Sequence, residues 1–256
     1  MTSSNQEKQF PEGMEPLGKK KFKFACHPGV SCYMLCCRNV DMLLYPYDII
    51  RLKNRIGIRS DEFIDRFVQI TQGVNPFFPS LAMKMNSRNC CPFLGDEGCL
   101  VYEDRPAVCR TYPLERAVDR TPQKGQPQEF YFLTSHDYCK GHEEDKEWTV
   151  KEWLRDQNLM YYNAMADVWA EMDTLFSQNP WAGEGAAGPK QRMAFMVCYN
   201  IDSFRDYVNE HNMLDHFKIP GARKRVIARD DEALLNFGFD WLKFILADMP
   251  TLRPKR

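Results

Sequence analysis

Apolar residues recur with helical spacing in the first half of the chain. Residues 46–56 (PYDIIRLKNRI) follow this pattern, which predicts a helix. A second helix is predicted from Ser60, a residue type favoured as an N-cap, because apolar residues follow it at intervals of three and four. Short strand-like stretches lie at 81–85, 99–102 and 130–133. The pattern therefore predicts both helices and short strands in this half.

The pattern changes character at Thr149. Thr149 and Glu152 fit a capping box, and helical spacing of apolar residues then continues to about residue 176. This predicts one long helix over 149–176. The stretch WAGEGAAGP (181–189) predicts a loop. Further helices are predicted at about 190–198, 203–210 and 231–247.

Charge and hydropathy limit where the chain acts and what it binds. The formal net charge is −1 and the sequence pI is about 6.5, so the chain lacks the overall basic charge of a nucleic-acid binder. Basic runs at 223–225 and 253–256 are interpreted as solvated surface. The N-terminal MTSSNQEKQF lacks the apolar stretch of a secretory signal, and 234–249 is too interrupted by polar residues to span a membrane. We therefore expect a cytoplasmic protein that binds neither nucleic acid nor membrane.

The cysteines carry the clearest chemical signal in the sequence. Four of the ten lie between residues 26 and 37, within FACHPGVSCYMLCC. Thiols stay reduced in the cytoplasm, where clustered cysteines more often bind metal than form disulfides. A cluster this dense in a loop-like stretch predicts metal ligation, whereas Cys198, inside AFMVCYN, is predicted to be a buried core residue.

The spacing of the cysteines alone does not identify the metal. No C-x2-C pair occurs, so neither a zinc ribbon nor the bacterial ferredoxin pattern is present. The C-x3-C-x2-C motif of radical S-adenosylmethionine enzymes begins at Cys32 and Cys36 but fails at Asn39. Thiolate-rich sites in general favour zinc or iron–sulfur clusters over magnesium or calcium.

The later cysteine motifs resemble a known family. The paired run ending at Cys36-Cys37 is followed by Cys91-Pro92-Phe93-Leu94, by Cys99-x-x-Tyr102-x-x-Arg105-Pro106-x-x-Cys109-Arg110-x-x-Pro113, and by Cys139-Lys140-Gly141. These motifs are similar to those of the CxxCxxCC family, cysteine-cluster proteins described as zinc- or iron-chelating domains, which include flagellin lysine N-methylases. The resemblance covers about residues 22–160. The first cysteines depart from the family spacing, with five residues between Cys26 and Cys32 and three between Cys32 and Cys36.

The resemblance implies eight metal-linked cysteines. Those that match are Cys26, Cys32, Cys36, Cys37, Cys91, Cys99, Cys109 and Cys139. Eight thiolates suit two four-cysteine centres, and the adjacent Cys36 and Cys37 are expected to serve different ones, because neighbouring side chains in extended backbone point in different directions. Cys90 is predicted not to be a ligand. Four cations are predicted to offset the negative charge of the centres, namely Arg38, Arg105, Arg110 and Lys140.

Two metal assignments stay open, with iron–sulfur, in the 4Fe–4S form, preferred to zinc. The description of related proteins as ferredoxin-like favours iron–sulfur clusters. Zinc often takes histidine beside cysteine, and His136 and His142 flank Cys139 at suitable spacing. Eight cysteines nevertheless suffice without either histidine, so both are interpreted as loop residues.

Catalytic residues cannot be assigned from the sequence. None of the five histidines lies in a hydrolase or metalloprotease motif, and no glycine-rich loop follows a strand. Whether the chain is an enzyme stays open. The preferred interpretation is a metal-binding protein with one or two cysteine-ligated iron–sulfur clusters in a redox or cluster-support role. The alternatives are a zinc-stabilised module that binds an unidentified protein partner, and a protein-modifying enzyme such as a lysine N-methylase.

These observations together predict an α+β fold that is mostly helical. A cysteine-rich metal core with short strands is expected to be wrapped by the C-terminal helices. The predicted organisation is a flexible tail at 1–20, a cysteine-cluster metal-binding domain at 21–145, and a helical C-terminal part at 146–256 packed on that domain.

Overall fold

A computed structural model describes residues 10, 14–38, 40–121 and 127–255 of the chain. Helices make up 46% of the structure and strands 14%, which confirms an α+β fold that is mostly helical. In these ranges no helix is long and apolar enough to cross a membrane. Most of the predicted 1–20 tail, together with Asn39 and Arg256, lies outside the described residues. Within that tail, Phe10 contacts the rings of Phe130 and Phe132.

The helices of the described ranges vary from one turn to five. They are α1 (Pro46–Ile56), α2 (Ser60–Phe67), α3 (Ala107–Thr111), α4 (Val150–Asp156), α5 (Leu159–Ser177), α6 (Pro189–Tyr199), α7 (Ile201–Glu210), α8 (Gly221–Arg229) and α9 (Asp231–Ala247). Short 3₁₀ turns occur at Leu35–Cys37, Tyr102–Asp104, Lys140–Glu143 and Met213–Asp215.

In the part of the chain that the structure describes, the strands are short and form three small antiparallel sheets. They are β1 (Phe22–Lys23), β2 (Leu43–Leu44), β3 (Val68–Thr71), β4 (Ser80–Met83), β5 (Leu114–Asp119), β6 (Gln128–Leu133) and β7 (Glu147–Trp148). β1 pairs with β7, β5 pairs with β6, and the third sheet has the order β2-β4-β3.

The chain forms two compact units, each built from two separate stretches. Unit 1 combines the described part of 1–36 with 110–159, and unit 2 combines 37–109 with 160–256. The predicted division into 21–145 and 146–256 is not tested by this observation alone and stays a prediction.

Unit 1 is organised around Trp153 on α4. The rings of Phe22 and Phe24 contact the Trp153 indole edge to face, with ring centroids 6.0 and 5.5 Å away. The Trp153 Nε1–H donates a hydrogen bond to the carbonyl oxygen of Thr111. Thr149 and Glu152 form the predicted capping box at the start of α4. Edge-to-face aromatic packing therefore joins β1 to α4, although the two elements are far apart in the sequence.

Unit 2 has a core of aromatic and aliphatic side chains between its helices. Its largest fully buried residues include Phe63, Phe176, Phe204, Phe237 and Phe239. Close approach of α6, α7 and α9 depends on Gly238, because a Cβ there would lie 2.5 Å from Val197 Cγ1 and 2.8 Å from Phe204 Cε1. A side chain at this position would force the helices apart.

Several predicted elements agree closely with the structure. The predicted helices at 46–56 and 231–247 coincide with α1 and α9, and the predicted strand at 130–133 lies within β6. The helix predicted from Ser60 is present, but its cap is Arg59 and Ser60 is the first helical residue. The Ser60 hydroxyl instead donates to Asn200 Oδ1 on the N-terminal side of α7.

Two predicted elements are wrong. Residues 99–102 do not form a strand, because Leu94 and Cys99 pair across a tight turn and a 3₁₀ turn begins at Tyr102. The helix predicted over 149–176 is broken into α4 and α5. The break occurs at Asn158, which has a left-handed φ of 52°, while the preceding Gln157 carbonyl accepts a hydrogen bond from Arg110 Nη1 at 2.8 Å.

A buried ionic cluster joins α1, α7 and α9 in unit 2. The side chain of Lys53 is only 7% exposed, and its Nζ lies 3.0 Å from carboxylate oxygens of both Asp202 and Asp231. Burial raises the pKa of Asp231, but hydrogen bonds from Lys53, Arg205 and Asn54 outweigh burial and hold that pKa below its usual value. The ionised carboxylate is therefore stabilised by the fold.

We predict that Lys53→Met strongly destabilises the protein. The variant leaves Asp202 and Asp231 buried without their shared cation, which costs about 3–5 kcal/mol for a broken buried ion pair. Urea denaturation followed by circular dichroism measures this change. Lys20→Met is the matched control, because Lys20 pairs with Glu15 on the exposed surface and its loss leaves the midpoint nearly unchanged. Equal midpoints for the two variants would contradict the prediction.

Candidate metal centre

The eight predicted ligands divide equally between the two units. Cys26, Cys32, Cys36 and Cys139 belong to unit 1, and Cys37, Cys91, Cys99 and Cys109 belong to unit 2. All ten cysteines of the chain are present as thiols. The boundary between the units falls between the adjacent residues Cys36 and Cys37. Each unit therefore contains a complete set of four candidate thiolate ligands.

In unit 1, backbone hydrogen bonds bring the segment of Cys26 to the segment of Cys139. The Ala25 N–H donates to the Gly141 carbonyl at 3.0 Å, one residue before Cys26 and two after Cys139. Cys139 itself precedes the 3₁₀ turn Lys140–Glu143, and its N–H donates to the His136 carbonyl at 2.8 Å. Two ligand candidates that are far apart in sequence thus lie on neighbouring segments.

The third candidate of unit 1 contacts the same turn directly. The backbone N–H of Lys140 donates to the Cys32 Sγ at 3.0 Å. Hydrogen bonds to sulfur are common around cysteine ligands of metal centres. Cys36 follows in the 3₁₀ turn Leu35–Cys37 and is exposed.

Tyr138 lies near these thiols and was not among the site residues predicted from the sequence. Burial raises the pKa of Tyr138, and nearby charge on Cys36, Cys139 and Cys32 raises it further. Three of the four unit 1 candidates therefore lie close enough to affect one phenol. The only sequence signal for this role is that Tyr138 immediately precedes Cys139.

A stack of three rings continues from Tyr138 into unit 1. The His136 ring lies parallel to both Tyr138 and Tyr112, with ring centroids 5.2 and 5.6 Å away. The Tyr112 hydroxyl lies 3.2 Å from His142 Nε2. Burial lowers the pKa of His142, which favours its neutral form. The two histidines considered as zinc ligands are therefore part of an aromatic cluster with Tyr112.

His27 is also engaged within unit 1. The Gly29 N–H donates to His27 Nδ1 at 3.2 Å, so Nδ1 is an acceptor and Nε2 carries the hydrogen. His27 Nε2 lies 3.2 Å from Glu144 Oε2, where it donates to the carboxylate. In this arrangement the imidazole bridges two loop segments of unit 1.

In unit 2, the segments of Cys37 and Cys91 lie side by side. The Cys91 N–H donates to the Cys37 carbonyl at 2.9 Å, and Arg38 pairs with Cys90 in an antiparallel bridge. Cys99 returns to the same region because Leu94 and Cys99 form a second bridge. Three ligand-bearing segments of unit 2 are thus joined by backbone hydrogen bonds.

Cys109, the fourth candidate of unit 2, lies on α3. Its exposed thiol is 3.8 Å from Met42 Sδ. The helix begins directly after Pro106, and the Ala107 N–H donates to the buried carboxylate of Asp48 at 2.9 Å. This hydrogen bond ties the helix that carries Cys109 to α1.

The remaining two cysteines, Cys90 and Cys198, are both buried. Cys198 is buried in α6, as predicted, and burial raises the pKa of its thiol so that it stays protonated. Cys90 is also buried, and Arg38 Nη1 donates to its Sγ at 3.2 Å. Cys198 is thus a core residue, and the assignment of Cys90 as a non-ligand stays a prediction.

The predicted charge-offsetting cations have other contacts as well. Arg105 stacks over the Tyr102 ring at 3.8 Å, and Arg110 donates to the Gln157 carbonyl. The Lys140 ammonium pairs with Glu143 at 3.0 Å, while its backbone N–H holds Cys32 Sγ. Whether these cations also offset charge at a metal centre stays a prediction.

The donor chemistry of both groups fits a thiophilic metal. Within the described ranges, no three Cys, His, Asp or Glu side chains converge closely enough to hold a metal ion. The backbone nevertheless places the cysteine segments of each unit next to one another, and Cys32 accepts an amide hydrogen bond. Four thiolates match the preferences of zinc and of iron–sulfur clusters and are unsuitable for magnesium or calcium.

Comparison with known proteins supports this chemistry. No curated protein and no solved structure is significantly similar to the chain. A family model does match, over residues 25–140, and it covers all eight candidate ligands. The predicted resemblance is thereby confirmed: a model of the CxxCxxCC family, described as a putative zinc- or iron-chelating domain, matches residues 25–140, which supports metal binding in general.

Proposed function

We propose that the chain binds two iron–sulfur clusters, one in each unit, each ligated by four cysteines. The observation that carries this proposal is the equal division of the eight candidate ligands between unit 1 and unit 2. Four cysteine thiolates are the usual ligand set of a 4Fe–4S cluster. The ligands would be Cys26, Cys32, Cys36 and Cys139 in unit 1, and Cys37, Cys91, Cys99 and Cys109 in unit 2.

The surroundings of the thiols favour clusters with cysteine ligands alone. Of the histidines near the unit 1 cysteines in sequence, His27 bonds to Glu144 and His142 lies within hydrogen-bond distance of the Tyr112 hydroxyl. The amide hydrogen bond to Cys32 Sγ is the kind of contact that tunes the reduction potential of a cluster. A cluster bound by four cysteines has no open position for substrate, so electron transfer or support of the fold is its natural role.

The identity of the metal is tested by anaerobic purification of the full chain. We expect about eight iron atoms and about eight acid-labile sulfides per chain, which correspond to two 4Fe–4S clusters. Absorption near ~400 nm should decrease during titration with dithionite, since reduced clusters lose intensity there. Colourless protein with about two zinc ions per chain would overturn the iron–sulfur proposal and favour the zinc-stabilised module.

The assignment of the ligands to two centres makes Cys36 and Cys37 inequivalent. We predict that Cys36→Ser and Cys37→Ser each remove about half of the bound metal, because each residue serves only the centre of its own unit. The two variants should also differ in their electron paramagnetic resonance spectra after reduction. Metal analysis and spectroscopy of the anaerobic proteins provide the measurement.

Cys198→Ala is the control for this pair, since Cys198 is buried in α6 and should leave the metal content unchanged. Complete loss of metal from both variants alike would show one shared centre instead of two. Metal loss from Cys198→Ala would show that the ligand set is wrong.

Gly141 offers a test that spares every cysteine. A Cβ at Gly141 would lie 2.6 Å from Phe24 Cε2 and 2.7 Å from the Ala25 carbonyl oxygen. We predict that Gly141→Ala separates the Cys139 segment from the Cys26 segment and lowers the metal content of unit 1 only. The accompanying loss of stability should be about 1–3 kcal/mol, as for other overpacked sites.

Metal analysis and thermal denaturation measure both effects of the Gly141 substitution. Gly221→Ala is the matched control, because a Cβ there has Arg225 Nη1 at 3.7 Å as its nearest neighbour and Gly221 lies in α8 of unit 2. Unchanged metal content in Gly141→Ala would show that the two segments need not touch for the centre to form.

The resemblance to lysine N-methylases also allows an enzymatic function. This alternative stays a prediction. Transfer of a methyl group from S-adenosylmethionine to a protein lysine, measured with the metal-loaded chain, would support it.

A further inference from the structure

The C-terminal part of unit 2 concentrates positive charge although the chain as a whole carries −1. Residues 216–229 contain five Lys or Arg residues and no Asp or Glu, and residues 249–255 contain two and none. The basic surface is defined by five exposed residues, namely Lys218, Arg225, Arg229, Arg253 and Lys255.

Backbone pairing brings the two basic stretches together. The Lys218 N–H donates to the Arg253 carbonyl at 2.8 Å, and the Lys255 N–H donates to the His216 carbonyl at 2.7 Å. Phe217, buried between these bonds, pairs with Pro254. Cations from positions nearly forty residues apart therefore line one continuous surface with α8.

Two carboxylates pair with neighbouring cations, and one of them, Asp215, also interacts electrostatically with Lys255. Asp215 accepts from Lys224 at 2.5 Å, and Asp240 accepts from Arg223 at 3.2 Å. Throughout the part of the chain that the structure describes, none of the five residues of the basic surface forms an ion pair with a carboxylate within 4.0 Å. The surface thus keeps a strong positive charge of its own.

The electrostatics of α8 are unfavourable in the isolated protein. Arg223 and Arg225 lie in or next to its first turn, where the helix dipole disfavours cations, and this turn contains no acidic residue. Arg225 and Arg229 form a like-charge pair at i,i+4, which also destabilises a helix. A partner with negative charge would relieve both effects.

The outer face of α8 combines these cations with an apolar side chain. Ala222, Arg225, Val226 and Arg229 follow the spacing i, i+3, i+4 and i+7 and are all exposed, with Val226 53% exposed. Ile227, on the opposite side, is buried and anchors the helix. Val226 therefore lies between two arginines on a surface that faces solvent.

We propose that this basic surface binds an acidic protein segment whose own apolar side chain covers Val226. The apolar group between the arginines is aliphatic, which suits a peptide side chain, whereas proteins that hold single-stranded nucleic acid present aromatic rings to the bases. With a net charge of −1, the chain also lacks the overall positive field that attracts a long polyanion, while a short acidic segment contacts mainly the local cations.

The test uses the full metal-loaded chain and a fluorescein-labelled peptide of three Glu-Leu-Glu-Glu repeats. Fluorescence anisotropy should show binding that weakens as sodium chloride is added, because the contact is electrostatic. Arg225→Glu with Arg229→Glu should weaken binding by roughly tenfold or more. Arg225→Gln with Arg229→Gln, a milder change in case charge reversal disturbs α8, should weaken it in the same direction.

The matched control is Lys84→Glu with Lys151→Glu, which changes the net charge equally at exposed positions outside the basic surface. Binding by this control should stay within about twofold of the unchanged protein. Val226→Gln should weaken binding of the leucine peptide but not of the same peptide with glycine for leucine. Equal loss in the control variant would show attraction by net charge alone and would overturn the proposal.

Two further probes distinguish other polyanions. A labelled twelve-nucleotide single-stranded DNA and vesicles that contain phosphatidylserine should bind more weakly than the acidic peptide at the same ionic strength. Tighter binding of either probe would overturn the assignment to an acidic protein segment. These results do not depend on which metal the cysteines hold, since the basic surface includes none of them.

Discussion

Unit 1 depends on one long-range closure, which joins Cys32 to the segment of Cys139. The hydrogen bond from the Lys140 N–H to Cys32 Sγ spans 108 residues of sequence, and closing so large a loop carries an entropic cost. Pairing of β1 with β7 and packing of Phe22 and Phe24 against Trp153 offset that cost. The aromatic core therefore brings the cysteine-bearing segments next to one another, and metal binding would add to the stability of this closure.

Local signals account for the parts of the fold that the sequence predicts well. The proline at the start of α1 and the acidic first turn of α9 mark helix ends within a few residues, and both helices match their predicted bounds. The break at Asn158 could not be predicted in this way, because a distant residue, Arg110, takes the Gln157 carbonyl. α8 was also missed. Ile227 is its buried residue, so apolar residues do not recur along it at intervals of three and four, and the sequence shows no helical pattern there.

The candidate site shows the same division between local and long-range information. The density of cysteines and the motifs around Cys91, Cys99 and Cys109 were enough to predict the family match and to propose a set of thiolate ligands. They could not show which cysteines share a unit, because that grouping follows from the path of the whole chain. Likewise, the electrostatic influence of the unit 1 thiols on Tyr138 follows from the closure at Cys139, and spacing alone does not reveal it.

The boundary between Cys36 and Cys37 links the fold to the proposed chemistry. In the proposed two-centre arrangement, the adjacent residues Cys36 and Cys37 would be ligands of different centres. The 3₁₀ turn Leu35–Cys37 contains both residues, so the backbone at this pair is not extended as the sequence suggested. With about three residues per turn, successive side chains still point in different directions, and ligation of two centres by adjacent cysteines requires this separation.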